Sequence, residues 1–215
     1  MEYPFDALHA GIESQILNLP AGIPDSQAVT RAKALPDSIE KSLTLGKALS
    51  RQLRYREAIA AYTEGLKAEP ENLSLLRLRA GRYLTTLQSD FAITDFEKCL
   101  SLGAEKLDCL YRIGLAHYYA GRYLRAMETL ESCLPLCDDE MGIAVLYWHT
   151  LSAARTEKAP TLLKYDRPDM AVGHHTAYEK AMQVWSGTTP LSAMLQMLES
   201  EKDDLEYGIT LYGLL

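Results

Sequence analysis

His174 and His175 form the only adjacent histidine pair in the chain. Imidazoles can hold a transition metal, but the ligands must converge on one point, on a helix usually from positions i and i+4. Successive helical residues diverge by about 100°. If a helix runs over residues 174–185, the pair is split between two faces and reads as a polar helix start after Gly173, with no metal site. Cys133 and Cys137 are four apart and could share a helix face. Pro135 lies between them, however, and Cys99 stands one regular interval before Cys133, so both Cys99 and Cys133 read as small buried hydrophobes. The chain has no nucleophile elbow, no glycine-rich phosphate loop and no HExxH pair. The reading is therefore a non-enzyme without a cofactor. The enzymatic alternative places a site in residues 158–185, with His174 or His175 working beside Asp166 or Asp169.

Charge narrows the partners. The 215 residues carry a formal net charge of -7, which repels a phosphate backbone. Arg77, Arg79 and Arg82 are the best candidates for a local basic stripe, but their spacing divides them between helix faces, so no nucleic-acid partner is expected. Residues 1–10 hold no basic segment followed by an apolar run, and no stretch approaches the roughly 18 apolar residues of a membrane span. Four cysteines are too few and too loosely spaced for a secreted disulfide framework. The expectation is a cytoplasmic protein with no membrane contact.

The elements that would position any site come from self-similarity at a fixed step. Ala58, Ala92 and Ala126 are each 34 residues from the next, as are Gly46, Ala80 and Gly114, and Leu66, Leu100 and Leu134. Tyr62, Phe96 and Leu130 keep the step, and Tyr55 and Tyr123 match across two periods with Ser89 between them. Each interval holds two amphipathic helical patterns joined by a polar turn. The small positions let two helices approach closely; the large ones fill the gap to the next hairpin. Neither helix can bury its apolar face alone, so the units must stack.

This order of small residue, alanine and aromatic at a 34-residue step resembles the tetratricopeptide repeat. The first unit, residues 39–72, is the closest match, with Leu45-Gly46, Ala58, Tyr62 and Pro70. The second, residues 73–106, keeps Ala80, Tyr83, Ala92 and Phe96 but has Arg79 where an apolar residue is usual. The third, residues 107–140, keeps Ile113-Gly114, Ala126 and Leu130. The fold implied is all-α, a right-handed α-solenoid of stacked antiparallel helix hairpins.

Residues 1–36 read as an N-terminal helix (residues 5–17) and a linker through Pro20 and Pro24. After residue 140 the phase degrades. A first helix over about 141–155 has Trp148 where a small residue belongs, and Pro160 stands inside the place of its partner helix, where it costs about 3 kcal/mol. An irregular stretch over 158–173 follows, then helical patterns over 174–185 and 190–198. Tyr207-Gly208 restores the opening of a repeat without its second helix, so Ile209, Leu211, Tyr212, Leu214 and Leu215 look unpaired. That implies either a shortened repeat array or self-association to a homo-oligomer.

The resemblance implies that first helices line a groove for a protein or peptide partner. The groove positions carry Lys47, Arg51 and Arg77 as a cationic rim beside Tyr111, Tyr118 and Tyr119. Arginine and tyrosine are residues that anchor interfaces. The lysine–asparagine clamp of relatives that bind chaperone tails is absent from the matching positions. The functional expectation is an interaction scaffold.

Overall fold

The computed structural model describes residues 24–200 and 204–214 and divides them into two compact units that meet in sequence between Ala120 and Gly121. The helix expected over residues 5–17 lies outside the described residues, as does Leu215. The described residues contain no strand and form eleven α-helices and two short 3-10 turns.

Unit 1 begins with α1 (Gln27–Lys33), whose start is capped by Ser26 Oγ accepting from the Val29 amide at 3.3 Å. It lies inside the segment that the sequence reads as linker. Its seven residues bury Val29 and Ala32, too short a pattern to register as a helix by periodicity. Two hairpins follow, α2 (Ile39–Arg51) with α3 (Tyr55–Ala68) and α4 (Leu73–Thr85) with α5 (Ser89–Ser101), and then α6 (Lys106–Tyr119) packs on α5. The first helices start on polar caps: Ser38 accepts from Lys41 N at 3.1 Å and Asn72 from Leu75 N at 3.1 Å. The second helices α3 and α5 start without any side-chain cap. There the backbone closes the turn, with Arg54 N donating to Leu49 O at 3.0 Å and Gln88 N to Tyr83 O at 2.9 Å. That closure puts Leu53 and Leu87 in the left-handed region, at φ 60° and 59°.

The repeat positions do what their sizes predict. A Cβ on Gly46 would fall inside the Tyr62 ring, so only glycine lets α2 and α3 approach this closely. Ala58, Ala80, Ala92 and Phe96 are fully buried in one continuous core with Tyr62, Leu75 and Cys99. Arg79, the misfit of the second repeat, has a partner. Its Nε and Nη2 donate to the two carboxylate oxygens of buried Asp95 at 2.7 and 2.8 Å, and Nη1 donates to Thr63 Oγ1 at 3.1 Å. One side chain thereby ties α4 to α5 and α3. Asp95 raises the already high pKa of the guanidinium further, against the opposing effect of burial.

Unit 2 opens with α7 (Tyr123–Cys133) and α8 (Asp139–Ala154), capped by Asp138 accepting from Met141 N at 2.9 Å. Every residue from Gly142 to Ala153 is buried, between α7 on one side and α9 on another. No second repeat helix follows. Pro160 has no amide proton to give, and residues 155–175 are irregular apart from the 3-10 turn Leu163–Tyr165. Asp139 pins this stretch by accepting from Arg167 Nη2 at 2.7 Å and Ala171 N at 3.2 Å. Then come α9 (Thr176–Trp185), α10 (Leu191–Ser200) and α11 (Asp204–Leu214).

The terminal helix does not lack a neighbour. It packs along α9, with Thr210 and Gly213 buried. Tyr147 Oη donates to Ile209 O at 2.8 Å, Trp185 Nε1 to Gly213 O at 2.7 Å and Thr210 Oγ1 to Ala177 O at 3.2 Å. Ile209, Leu211 and Leu214 are half-buried, while Tyr207 and Tyr212 stay exposed. The sequence reading missed this because α9 is not the helix the repeat would have supplied.

Candidate partner-binding surface

The residues expected to line a groove all belong to unit 1, on α2, α4 and α6. Lys47 and Arg51 lie one turn apart on α2, where an i, i+4 pair shares a face, and both are exposed. Neither makes an ion pair among the described residues. Arg77 on α4 is exposed but engaged, its Nε donating to Asp108 Oδ2 at 2.8 Å. Arg112 Nε takes the other oxygen of Asp108 at 2.9 Å. Burial pushes the Asp108 carboxyl up, but hydrogen bonds from Arg77 and Arg112 outweigh it and hold the group below its usual 3.8. The result is a carboxylate bridging two cations across the α4–α6 contact. Arg112 went unnoticed in the sequence. The available signal was an acid and a base four apart on one helix, Asp108 and Arg112, which share a face.

Tyr111 and Tyr119 are half-buried on α6, Tyr119 packing against the core. Tyr118 is different: at 3% exposure it is a core residue, stacked edge-on against Tyr119 with ring centroids 5.9 Å apart. Two successive helical residues cannot both face the groove, and here Tyr118 is the one turned in. It supports Tyr119 and offers a ligand little surface of its own.

The three arginines go three ways, as their spacing requires. Arg77 meets Asp108, Arg79 meets Asp95, and Arg82 lies over the Tyr55 ring at 5.1 Å from its centroid. They form no shared stripe.

Burial holds the Cys99, Cys109 and Cys137 thiols protonated. Cys99 is fully buried and burial pushes its thiol up to about 12; burial likewise raises Cys137 to about 11. Thiols held protonated are poor nucleophiles and poor metal ligands. In the enzymatic alternative, Asp169 lies 3.4 Å from Arg167, and the carboxylate beside the histidines is that of Glu140, which is neither Asp166 nor Asp169.

A stack of helix hairpins is the build of a helical-repeat protein. No family model matches the chain. It is 26% identical over 147 residues to the small glutamine-rich tetratricopeptide repeat-containing protein 2 of Saccharomyces cerevisiae, a match covering 68% of this chain and 41% of that protein. The chain thus spans about two fifths of the curated relative it matches. Among solved structures, one of MamA superposes with a TM-score of 0.59 at 16% identity, over 87% of this chain and 99% of that one. YrrB, described as a tetratricopeptide-repeat protein with an unusual peptide-binding site, superposes with a TM-score of 0.54 at 17% identity, over 86% and 97%. With the 34-residue step seated in hairpins α2–α3 and α4–α5, these likenesses show that the chain has the fold of stacked tetratricopeptide-type hairpins. Among the described residues no helix is long and apolar enough to cross a membrane.

Proposed function

We propose that the chain is a non-catalytic adaptor that holds an extended, acidic segment of another protein against the first helices of unit 1. The observation that carries this reading is the pair Lys47 and Arg51, exposed on one face of α2 without acidic partners among the described residues, in a chain of net charge -7. Surface cations in an acidic protein attract carboxylates to one place and raise the encounter rate there. Asp108 holds Arg77 in position, so its remaining donors meet a ligand at reduced entropic cost. Tyr111 and Tyr119 supply aromatic edges beside these charges, and Tyr118 holds Tyr119 in place. Stacked hairpins present extended binding surfaces of this kind.

The test is fluorescence anisotropy with labelled peptides of equal length, rich in Asp/Glu, rich in Lys, or neutral. The full chain should prefer the acidic peptide, more strongly at low salt. Lys47→Glu with Arg51→Glu should remove that preference while leaving the helical circular dichroism unchanged. Equal affinity for the three peptides would reject the reading.

A further inference from the structure

Outside the groove, the irregular stretch of unit 2 returns to the place where it began. Glu140 lies in the first turn of α8, and His174 and His175 stand 34 and 35 residues later, just ahead of α9. The helix starts at Thr176, two residues later than the sequence pattern suggests, so the objection that neighbouring helical residues diverge does not apply. Gly173, at φ 55°, makes the turn, and a Cβ there would lie 2.7 Å from the Glu140 carboxyl carbon. A side chain at 173 would push that carboxylate aside, and glycine leaves it room beside the backbone.

The turn brings three donor groups together. His174 Nδ1 lies 2.5 Å from Glu140 Oε1, the two imidazole centroids are 4.2 Å apart, and one donor atom from each of the three side chains falls within 4.8 Å of the others. His175 Nδ1 lies 2.8 Å from the Glu140 backbone oxygen. A carbonyl only accepts, so Nδ1 carries the proton and Nε2 keeps its lone pair. A backbone carbonyl fixing the tautomer of a ligating imidazole is the usual outer support of a metal ligand.

We propose that Glu140, His174 and His175 form a three-ligand site for a borderline divalent transition metal of the Zn2+ type. Two imidazoles and a carboxylate suit that class better than Ca2+ or Mg2+, which favour all-oxygen sets. Zn–N and Zn–O bonds of about 2.0–2.2 Å put tetrahedral ligand atoms roughly 3.3 Å apart. The cluster must close slightly on one side and open on the other, and the His174 side chain, 80% exposed, has the room to do so. The metal would replace the His174–Glu140 hydrogen bond, with the His174 proton carried on the ring nitrogen that does not ligate. It would then tie the start of α8 to the turn before α9 and close the intervening irregular stretch into a loop. Asp139 already holds that stretch from the preceding position. The site is a structural clasp and is independent of the groove in unit 1.

The experiment uses tag-free full chain, stripped with chelator and titrated with Zn2+ alone by calorimetry, with Co2+ as a spectroscopic probe. One equivalent should bind. His174→Ala and, separately, Glu140→Gln should each weaken binding by at least about tenfold with unchanged helicity. Zn2+ should also slow tryptic cleavage after Lys164 and Arg167 in the parent chain but not in His174→Ala. Absence of binding overturns the proposal. So does binding that survives both substitutions, which would place the metal on other groups.

Discussion

In unit 1 an aromatic from the second helix drops onto a glycine of the first: Tyr62 of α3 fills the place where Gly46 of α2 has no Cβ. In unit 2 the aromatic sits on the first helix. Tyr147 of α8 projects to Gly213 of α11, where a Cβ would meet its ring at 2.5 Å, and stacks on Tyr178 with centroids 4.5 Å apart. Close helix packing therefore survives the loss of the repeat. What changes is the sequence distance between knob and hole, from 16 residues in the first case to 66 in the second. A local, repeated pairing can be read as a period; a single long-range one cannot.

The strongest way to break this comparison is to remove each knob. Tyr62→Ala should cost about 3–5 kcal/mol, the usual loss for a buried aromatic. Amide exchange should then accelerate throughout α2 and α3. Tyr147→Ala should cost a similar amount and also leave Ile209 O without its donor, accelerating exchange in α9 and α11. If Tyr147→Ala leaves α11 as protected as before, the glycine–aromatic contact is not what holds the terminal helix.

The two units also treat buried ionisable groups differently. Arg79 is kept charged by bidentate Asp95, whereas His149, fully buried on α8, is kept neutral. Desolvation lowers the His149 pKa below 6.5 and outweighs Glu131, whose Oε1 lies 3.3 Å from Nε2 and is partly exposed to water. His149 Nδ1 has no partner among the described residues. The unfolded chain therefore takes up a proton at this residue that the folded chain resists. Stability increases with pH across the interval between the depressed folded value and 6.5, and is lost as pH falls through that interval. Urea unfolding between pH 7.5 and 5 should show α8 losing amide protection before α4 and α5, and His149→Gln should flatten that dependence. A slope equal in the two units would refute the assignment to His149.

This contrast accounts for what the sequence disclosed. The hairpins of unit 1 were legible because Gly46, Ala58 and Tyr62 recur in kind one period later as Ala80, Ala92 and Phe96. The break at Pro160 was legible because a missing amide proton has the same effect in any helix. Partners specified by a single pairing were not legible. Asp95 for Arg79, Asp108 for Arg77 and Gly213 for Tyr147 each required knowing which helices touch. The candidate groove was half visible. Residue type flagged Lys47, Arg51 and Tyr111, but only side-chain direction separates exposed Arg77 from buried Tyr118. The histidine pair was misplaced for a backbone reason, since Gly173 turns the chain before the helix begins.

The smallest expected effect lies in the turns that join first to second helices. The left-handed position recurs at Leu53, Leu87 and Gly121, one period apart, with φ of 60°, 59° and 71°. A side chain there brings its Cβ against the next carbonyl at roughly 1–2 kcal/mol, which glycine avoids. Glycine, however, gives the unfolded chain more freedom, worth roughly 0.4–1 kcal/mol in the opposite direction. Leu53 is 53% exposed, so truncating it sacrifices little burial, whereas Leu87 is half-buried and loses more. Leu53→Gly should therefore stabilise unit 1 by at most about 1 kcal/mol, and Leu87→Gly by less. Nothing lies within 4 Å of a Cβ built on Gly121, so Gly121→Leu should show the backbone cost alone, about 1 kcal/mol. Thermal melts of the three variants separate these cases. A Leu53→Gly variant less stable than the parent would mean that the leucine side chain contributes more than its exposure implies, and that the left-handed turn is not where unit 1 stores strain.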